Sequence, residues 1–293
     1  MRTLVARGLL FGVVSGSLGA FFWAREAHAS LTLAVLGASV ATLALAAVLE
    51  RVMPWRAQWN EPRGDVGTDL ASAGVLIGVV DPLLKGVAPL IVVMLYASLS
   101  RDPAQGLFPV TAPFAAQVVL ATALIEFGRY WSHRWHHAHR ALWWLHAMHH
   151  GSERLYTLNN FRFHPLNRAI NFGLSTLPLM LLGAPQDVLL GYLAISQPVL
   201  MLQHANIDLR SGWLNWIFSS NELHRWHHST EPAQANSNYG SAFVLWDQVF
   251  GTFQPADGSP QRVGLFGPSR RYPAESNYLA QLLSAFGPAC CKA

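Results

Sequence analysis

Twelve of the 13 histidines lie between residues 133 and 228. The pentapeptide HRWHH occurs at 133–137 and again at 224–228, and its HxxHH spacing recurs as HAMHH at 146–150. At this histidine content a given HxxHH arises by accident on the order of 0.03 times. The words flanking the two HRWHH copies differ, so a recurring chemical need explains them better than a duplicated fold unit. On a helix, positions i, i+3 and i+4 share a face within about one turn. These spacings therefore aim several imidazoles at one point, and neutral imidazole suits Fe, Zn, Cu and Ni. The three boxes supply His133, His136 and His137, then His146, His149 and His150, then His224, His227 and His228. A catalytic zinc needs about three protein ligands, and no HExxH is present. Eight to ten histidines suit two metals better than one. Haem would want single histidines deep in facing spans rather than clusters at a membrane edge. A non-enzymatic alternative, a histidine-rich membrane metal transporter or binding protein, predicts His or Asp pairs within several spans, and here the clusters hang off the span ends. His28 and His139 read equally well as surface residues.

The elements that must position these boxes follow from composition. Only 12% of the 293 residues are charged, against 52% apolar and 11 tryptophans. A soluble domain carries about a quarter charged residues, so a membrane protein is expected. The net charge of +4 is too modest and dispersed for nucleic-acid binding. The two cysteines, Cys290 and Cys291, are adjacent, which gives no disulfide framework; a functionless tail is favoured over lipidation. The first apolar run, 8–23, lacks a small-residue cleavage site and reads as a retained span. Residues 8–24 and 31–49 fit two spanning helices, a span needing roughly 20 mostly apolar residues. Residues 69–99 read as one kinked crossing, with Pro82 as the kink and Asp81 pairing with Lys85 one turn on; a re-entrant hairpin is the alternative. Residues 113–131 form a fourth span running unbroken into the first box. On one straight helix His146 would lie about 20 Å beyond His133, so the chain must bend between 138 and 145. Residues 169–183 and 187–203 read as a short hairpin dipping into the membrane, and 205–293 as lying outside the lipid.

The arginines set the orientation. Arg2 and Arg7 precede the first span; Arg51, Arg56 and Arg63 follow the second. Both regions should face the cytoplasm. One crossing by 69–99 then puts 100–112 outside, with only Arg101 and Asp102 charged, and returns every box to the cytoplasmic side beside Arg134, Arg140, Arg154, Arg162 and Arg225. The expected fold is an all-α membrane protein of about four to six membrane-embedded helices. A cytoplasmic helical cap carries a histidine-rich di-metal site. Domains are expected at 1–112 (N-terminal transmembrane helices), 113–253 (catalytic) and 254–293 (C-terminal tail).

The ordered set YWSHRWHH, LWWLHAMHHGSE, RFHP, HAN, HRWHHS, NYG and WDQVFGTF resembles the fatty acid hydroxylase/sterol desaturase superfamily of integral membrane non-haem di-iron oxygenases, over roughly 120–253. The resemblance implies metal ligation and catalysis by His133 and His137 (HxxxH), His146, His149 and His150 (HxxHH), His204, and His224, His227 and His228 (HxxHH). His164 in RFHP matches a recurrent family position and joins the implied metal ligands. Asp208 stands where some members have a further histidine, so either it supplies an oxygen ligand or the site has one ligand fewer. His136 exceeds the family pattern. The two HRWHH copies are thus two walls of one site, used differently. The resemblance further implies two Fe ions, with Zn as a substitute in overexpressed protein, and O2 as co-substrate. Oxygen is inserted into an unactivated C–H bond, or a second hydrogen is lost to give an alkene; hydroxylation is favoured. The implied substrate is a sterol, fatty acyl or ether lipid entering from the bilayer. No flavin, haem or ferredoxin motif is visible, so electrons come from a separate donor: a ferredoxin, a cytochrome b5-like protein or a reductase. A ligating histidine usually donates its other N–H to a carboxylate or carbonyl. Glu126, seven residues before His133, is a candidate for this role, its alternative being a pair with Arg129. Asn206, Asn238, Tyr239 and Asp247 stand in family-like words and are candidates either to orient the last box or to cap turns.

Overall fold

The computed structural model describes residues 1–99, 106–266, 269–287 and 290. Among the described residues there is no strand, only three isolated β-bridges, and the molecule is helical throughout. Arg101, Asp102 and Cys291 lie outside the described residues. Helices α1 (Arg2–Glu26) and α2 (Leu31–Val52) contain the first two expected spans. The Ser30 hydroxyl starts α2 by accepting the Leu33 amide hydrogen. A third helical run is unbroken from Val66 to Ser98: α3 (Val66–Val75), a π turn at Leu76–Val80, and α4 (Asp81–Ser98). The π turn sits just upstream of Pro82, where the ring removes a donor and crowds the preceding turn. Among the described residues, these three runs are the helices long and apolar enough to cross a membrane, by length and composition. Their outward faces carry Phe11, Leu36, Val40, Leu90 and Met94 exposed, an apolar belt that calls for lipid rather than water.

Helix α5 (Phe114–Ala138) carries the first box on its last turns, and α6 (Arg140–His150) carries the second. The bend falls at His139, whose backbone is extended (φ −115°, ψ 123°). Helices α7 (Pro165–Leu181) and α8 (Gln186–Gln203) stand where the hairpin is expected and both pack against α5, with His204 ending α8. Helix α8 packs against α1, α2 and α5, and α7 against α5 and α4. Leu10 and Val14 of α1, Ala46 of α2 and Val199 and Leu202 of α8 are buried together with Ile207, Leu209 and Leu214; each such Leu, Ile or Val stabilises by roughly 1.5–3 kcal/mol. Helices α5 and α7 approach so closely at Gly128 that a Cβ there would lie 2.1 Å from the Leu174 carbonyl oxygen. Beyond α8 come four short helices: α9 (Asn221–His227), α10 (Pro232–Ala235), α11 (Leu245–Val249) and α12 (Tyr278–Ser284).

One expectation about charge is corrected, and three arginines prove to be buried. Asp81 pairs with Arg168 of α7 through two hydrogen bonds of 2.8 and 3.0 Å rather than with Lys85; a guanidinium fork matches both carboxylate oxygens where an ammonium cannot. Arg154 and Arg162 are not surface charges. Arg154 grips buried Asp65 through two bonds of 2.6 and 2.8 Å, and Arg162 reaches buried Asp69 at 3.1 Å. Arg225 is likewise buried, its guanidinium over the Trp55 ring. A buried arginine needs such partners, so these three are spent on holding the fold. The C-terminal stretch packs on the helix of the second box. Phe266 and Tyr272 pack on Trp143 and Trp144 of α6, and Ser284 accepts from Trp144 Nε1 at 3.0 Å.

Candidate metal centre

Nine histidines from four elements converge. His133 and His137 from α5, His146 and His150 from α6 and His227 from α9 form one group. His149 from α6, His204 at the end of α8, and His224 and His228 at α9 form the second. Within each group the candidate ligand atoms lie within 4.8 Å of one another. The HxxHH spacing explains the division. In α6 it sends His146 and His150 to one group and His149 to the other. The α9 box sends His227 one way and His224 and His228 the other.

The ring nitrogens are sorted. Outward, His133 Nδ1 meets the Tyr239 carbonyl at 2.8 Å, His149 Nδ1 the Arg162 carbonyl at 3.2 Å, and His227 Nδ1 the Ser237 carbonyl at 2.9 Å. Three asparagines do the same work: Asn236 for His137 (3.2 Å), Asn167 for His146 (3.3 Å) and Asn159 for His204 (2.8 Å). A carbonyl oxygen only accepts, so each Nδ1 carries the hydrogen and each Nε2 keeps its lone pair. Inward, Nε2 atoms meet each other at 3.0 Å for His133 and His146, for His204 and His224 and for His224 and His228, and at 3.2 Å for His150 and His227 and for His149 and His228. At a metal–imidazole distance of roughly 2.1 Å, ligands at right angles on one ion stand about 3.0 Å apart and tetrahedral ones about 3.4 Å. Burial, reinforced by neighbouring imidazoles, holds His149, His150, His224 and His228 well below the usual histidine pKa, and burial pushes His227 down to about 4. All five are therefore neutral at physiological pH, the form that binds metal. Donor type, tautomer and convergence fit a pair of metal ions.

A buried polar frame holds this arrangement. Asn159 sits in a 3-10 turn, Thr157–Phe161, next to Arg162. Glu50 of α2 accepts from Thr157 N (2.8 Å) and Thr157 Oγ1 (2.7 Å). With Asp65 on Arg154 and Asp69 on Arg162, the N-terminal helices thus clamp the turn that orients His149 and His204. On the other side, Asp247 accepts from the Tyr239 and Gly240 amides, both at 2.7 Å, which fixes the Tyr239 carbonyl facing His133. Burial pushes Asp247 up to about 6 against these hydrogen bonds.

Several expected site residues stand elsewhere. His164 belongs to neither group: as the N-cap of α7 it accepts the Leu166 amide hydrogen on Nδ1, and its Nε2 meets the Leu282 carbonyl at 3.0 Å. Both nitrogens are spent, so the expected ligand role is corrected to a capping one. Asp208 pairs with Arg210 at 3.1 Å on the surface and offers no oxygen to the groups. Glu126 touches no histidine and does not pair with Arg129. It accepts from Tyr192 OH (2.6 Å) and from the Ala242 and Phe243 amides (3.0 and 3.1 Å), while Arg129 reaches Ser241 Oγ at 3.0 Å. Together they pin the loop after Tyr239. Asn206 ties α2's end to residues 56–60, and Asn238 bonds Leu223 and Gln254 carbonyls, so neither touches a histidine. His136 stands outside both groups, its Nδ1 on the Ser132 carbonyl at 2.6 Å. His28 and His139 are exposed. The three ring-holding asparagines and the carbonyls of Arg162 and Ser237 escaped sequence reasoning. A carbonyl contact leaves no mark on residue type, and the only sign of Asn159 and Asn167 was their recurrence in NNFRFHPLN, while Asn236 lies in the separate stretch QANSNYG.

The sequence profile of the fatty acid hydroxylase family matches residues 118–252, the stretch that supplies all nine histidines. An ornithine lipid hydroxylase from Rhizobium tropici is 36% identical over 274 residues, covering 93% of this chain and 81% of that protein. The chain belongs to the fatty acid hydroxylase superfamily. Alkylglycerol monooxygenases from Xenopus tropicalis and Danio rerio are 26% and 30% identical over 208 and 136 residues. The chain spans only 45% and 30% of their respective lengths. No solved structure matches the chain. Neither the superfamily nor the gathering of histidines at one end of the bundle favours the metal-transporter alternative.

Proposed function

We propose that the chain is a membrane-bound, O2-dependent di-iron oxygenase that hydroxylates a C–H bond in the acyl or alkyl chain of a polar lipid. The observation that carries this reading is the pair of imidazole groups, five and four strong, with seven of the nine rings buried and Nε2 atoms meeting inside each group. His133, His137, His146, His150 and His227 would hold one iron, and His149, His204, His224 and His228 the other; zinc would compete during overexpression, standing higher in the affinity series. When bound, the metal pair supplies O2 activation and hydrogen abstraction. The protein's own residues do the rest. The Tyr239, Arg162 and Ser237 carbonyls and the three asparagines hold the Nδ1–H of six of the nine rings, which keeps those rings from turning. Burial of the four-membered group and of His146, His150 and His227 limits water, which protects a reactive site from side reactions. No Cys or Met stands among the inward-facing ligands, so the oxidant meets the more resistant imidazole first.

Similarity to an ornithine lipid hydroxylase across 93% of the chain makes an acylated amino-acid lipid the first substrate to test, and an ether lipid the second. Hydroxylation is preferred to desaturation on the same ground. The boxes face the cytoplasm on the strength of Arg2, Arg7, Arg51, Arg56 and Arg63, and a separate ferredoxin, cytochrome b5-like protein or reductase supplies electrons from that side. The deciding experiment is lipidomics of cells with and without the chain. A lipid gaining one oxygen is the expected result; loss of two hydrogens would make it a desaturase; an unchanged lipidome, with the protein present and metal-loaded, would overturn the reading.

A further inference from the structure

A file of aromatic rings leads from the histidine groups to the surface. The Tyr239 ring lies 5.2 Å from His137 and 5.6 Å from His133, centroid to centroid. Tyr130 is 6.0 Å from Tyr239, Trp131 is 5.6 Å from Tyr130, and Trp135 is 5.9 Å from Trp131. Tyr130 is fully buried, whereas Trp135 is 40% exposed. Phe127 and Phe250 also pack here, but a phenyl ring is far harder to oxidise than a phenol or an indole. The oxidisable rings on this side form a line that ends at exposed Trp135, whereas Trp143, 5.1 Å from His137, is itself buried. Electronic coupling between rings decays steeply with the gap, and centroid spacings below about 7 Å put the ring edges nearly in contact.

Tyr130 has what a reversible one-electron carrier needs and Tyr239 lacks. The Tyr239 hydroxyl meets only Asn236 Oδ1, at 3.3 Å, and an amide is no base. The Tyr130 hydroxyl lies 3.0 Å from Thr252 Oγ1, and Thr252 donates to Asp247 Oδ1 at 2.7 Å. Because Thr252 spends its hydrogen on the carboxylate, Tyr130 must be the donor to Thr252. Arg134 Nη1 donates to the Tyr130 oxygen at 2.9 Å, which leaves that orientation undisturbed. A phenol loses an electron readily only when its proton has a destination, and here the destination is a buried carboxylate two hydrogen bonds away.

We propose that Tyr239, Tyr130, Trp131 and Trp135 form a one-electron relay that discharges the histidine-lined site to the surface when an O2-derived oxidant is generated there without a lipid to consume it. The relay rests on the oxygenase reading for its purpose, but not for its existence. One electron passes from Tyr130 through the Tyr239 ring to the oxidant. The Tyr130 proton moves to Thr252 Oγ1 as the Thr252 proton moves to Asp247, leaving a neutral phenoxyl radical. Trp131 and then Trp135 return an electron to Tyr130, which retakes its proton along the same path. A soluble one-electron reductant, of the thiolate or enediol class, restores Trp135. The protein ends unchanged, having carried one electron inward. Tyr130 itself touches no histidine, so Tyr130→Phe should leave coupled turnover intact while exposing the histidines to damage.

The test uses the full-length protein loaded with redox-silent zinc and oxidised by flash photolysis of a soluble ruthenium polypyridyl with a sacrificial electron acceptor. Radicals are identified by electron paramagnetic resonance with deuterated Tyr or deuterated Trp. The wild type should trap a neutral tyrosyl radical. Tyr130→Phe should replace it with a tryptophan signal, and Trp131→Leu and Thr252→Val should each lower the tyrosyl yield several-fold. Zinc content and Tm verify that each variant is folded. An unchanged tyrosyl signal in Tyr130→Phe, or an unchanged yield in Trp131→Leu, overturns the relay. Mass spectrometry of the iron-loaded protein under O2 and reductant without lipid should show several-fold faster oxidation of the box histidines in Tyr130→Phe than in the wild type. Equal damage in the two would remove the protective role. An absence of oxidation in every variant, beside an intact tyrosyl signal, would instead count against the oxygenase reading.

Discussion

His136→Ala and His227→Ala change the same letter of the same pentapeptide, HRWHH, yet should differ in metal content. His227 belongs to the five-membered group, with its Nε2 3.2 Å from that of His150 and its Nδ1 on the Ser237 carbonyl. A protein metal site of four ligands binds with roughly 10–16 kcal/mol, so one ligand accounts for about 3 kcal/mol, or about 100-fold in affinity. His136 stands outside both groups, its ring centre 5.7 Å from that of His146 and its Nδ1 on Ser132. Removing it loses one buried hydrogen bond and leaves a cavity, which costs on the order of 2 kcal/mol of stability. Elemental analysis of the purified variants, before and after dialysis against a chelator, separates the two effects. Wild type and His136→Ala should both hold about two transition-metal ions, the latter with a lower Tm and much of its turnover. His227→Ala, His137→Ala and His228→Ala should each lose metal and activity. If His136→Ala sheds metal as completely as His227→Ala, the division of the first box into two ligands and one bystander is wrong. A single ion per wild-type chain, or haem absorbance, would sink the two-metal assignment itself.

Acidification should weaken the metal-free fold. His227 stays neutral down to about 4 when folded but protonates near 6.5 once unfolded. The unfolded chain therefore binds more protons in that window, and stability falls as pH drops through it, by on the order of 3 kcal/mol for this group alone. Thermal melts between pH 7 and pH 4 check this, and a Tm that holds or rises on acidification would contradict it. Gly128→Ala should sharply lower Tm and yield, because the new Cβ would meet the Leu174 carbonyl oxygen at 2.1 Å and Ser175 Cα at 2.8 Å; an unchanged melt would mean that α5 and α7 are less tightly opposed. A fluorescent reporter fused after residue 293 should report the cytoplasm, and an external signal would invert the assigned orientation. Glu50→Gln should loosen the turn that orients His204 and His149, lowering metal affinity roughly 10-fold as for other residues that support ligands; undiminished affinity in a chelator titration would remove Glu50 from that role.

The local spacing of the histidines determined much of this protein before any tertiary contact was known. HxxHH places its imidazoles within one turn of a helix, so the ligand chemistry and the need for a bend between α5 and α6 were legible, and the bend falls at His139. The long apolar runs likewise declared α1, α2 and the 66–98 helix, since lipid demands apolar side chains over a whole span. Local spacing could not say which histidine of a box faces which partner. That depends on α6 and α9 crossing so that His146 and His150 meet His227 while His149 meets His224 and His228. Nor could it give the fates of His164, Asp208 and Glu126, each engaged by a residue at least two positions and often more than 60 away in the chain. Least visible was the frame that holds the rings. Main-chain carbonyls carry no residue identity, and nothing in the local sequence tells that tertiary packing buries Glu50, Asp65 and Asp69 against Thr157, Arg154 and Arg162. Periodicity along the chain records which groups a helix offers; only the packing of one helix on another decides what each group meets, because burial and partner are properties of neighbours in space.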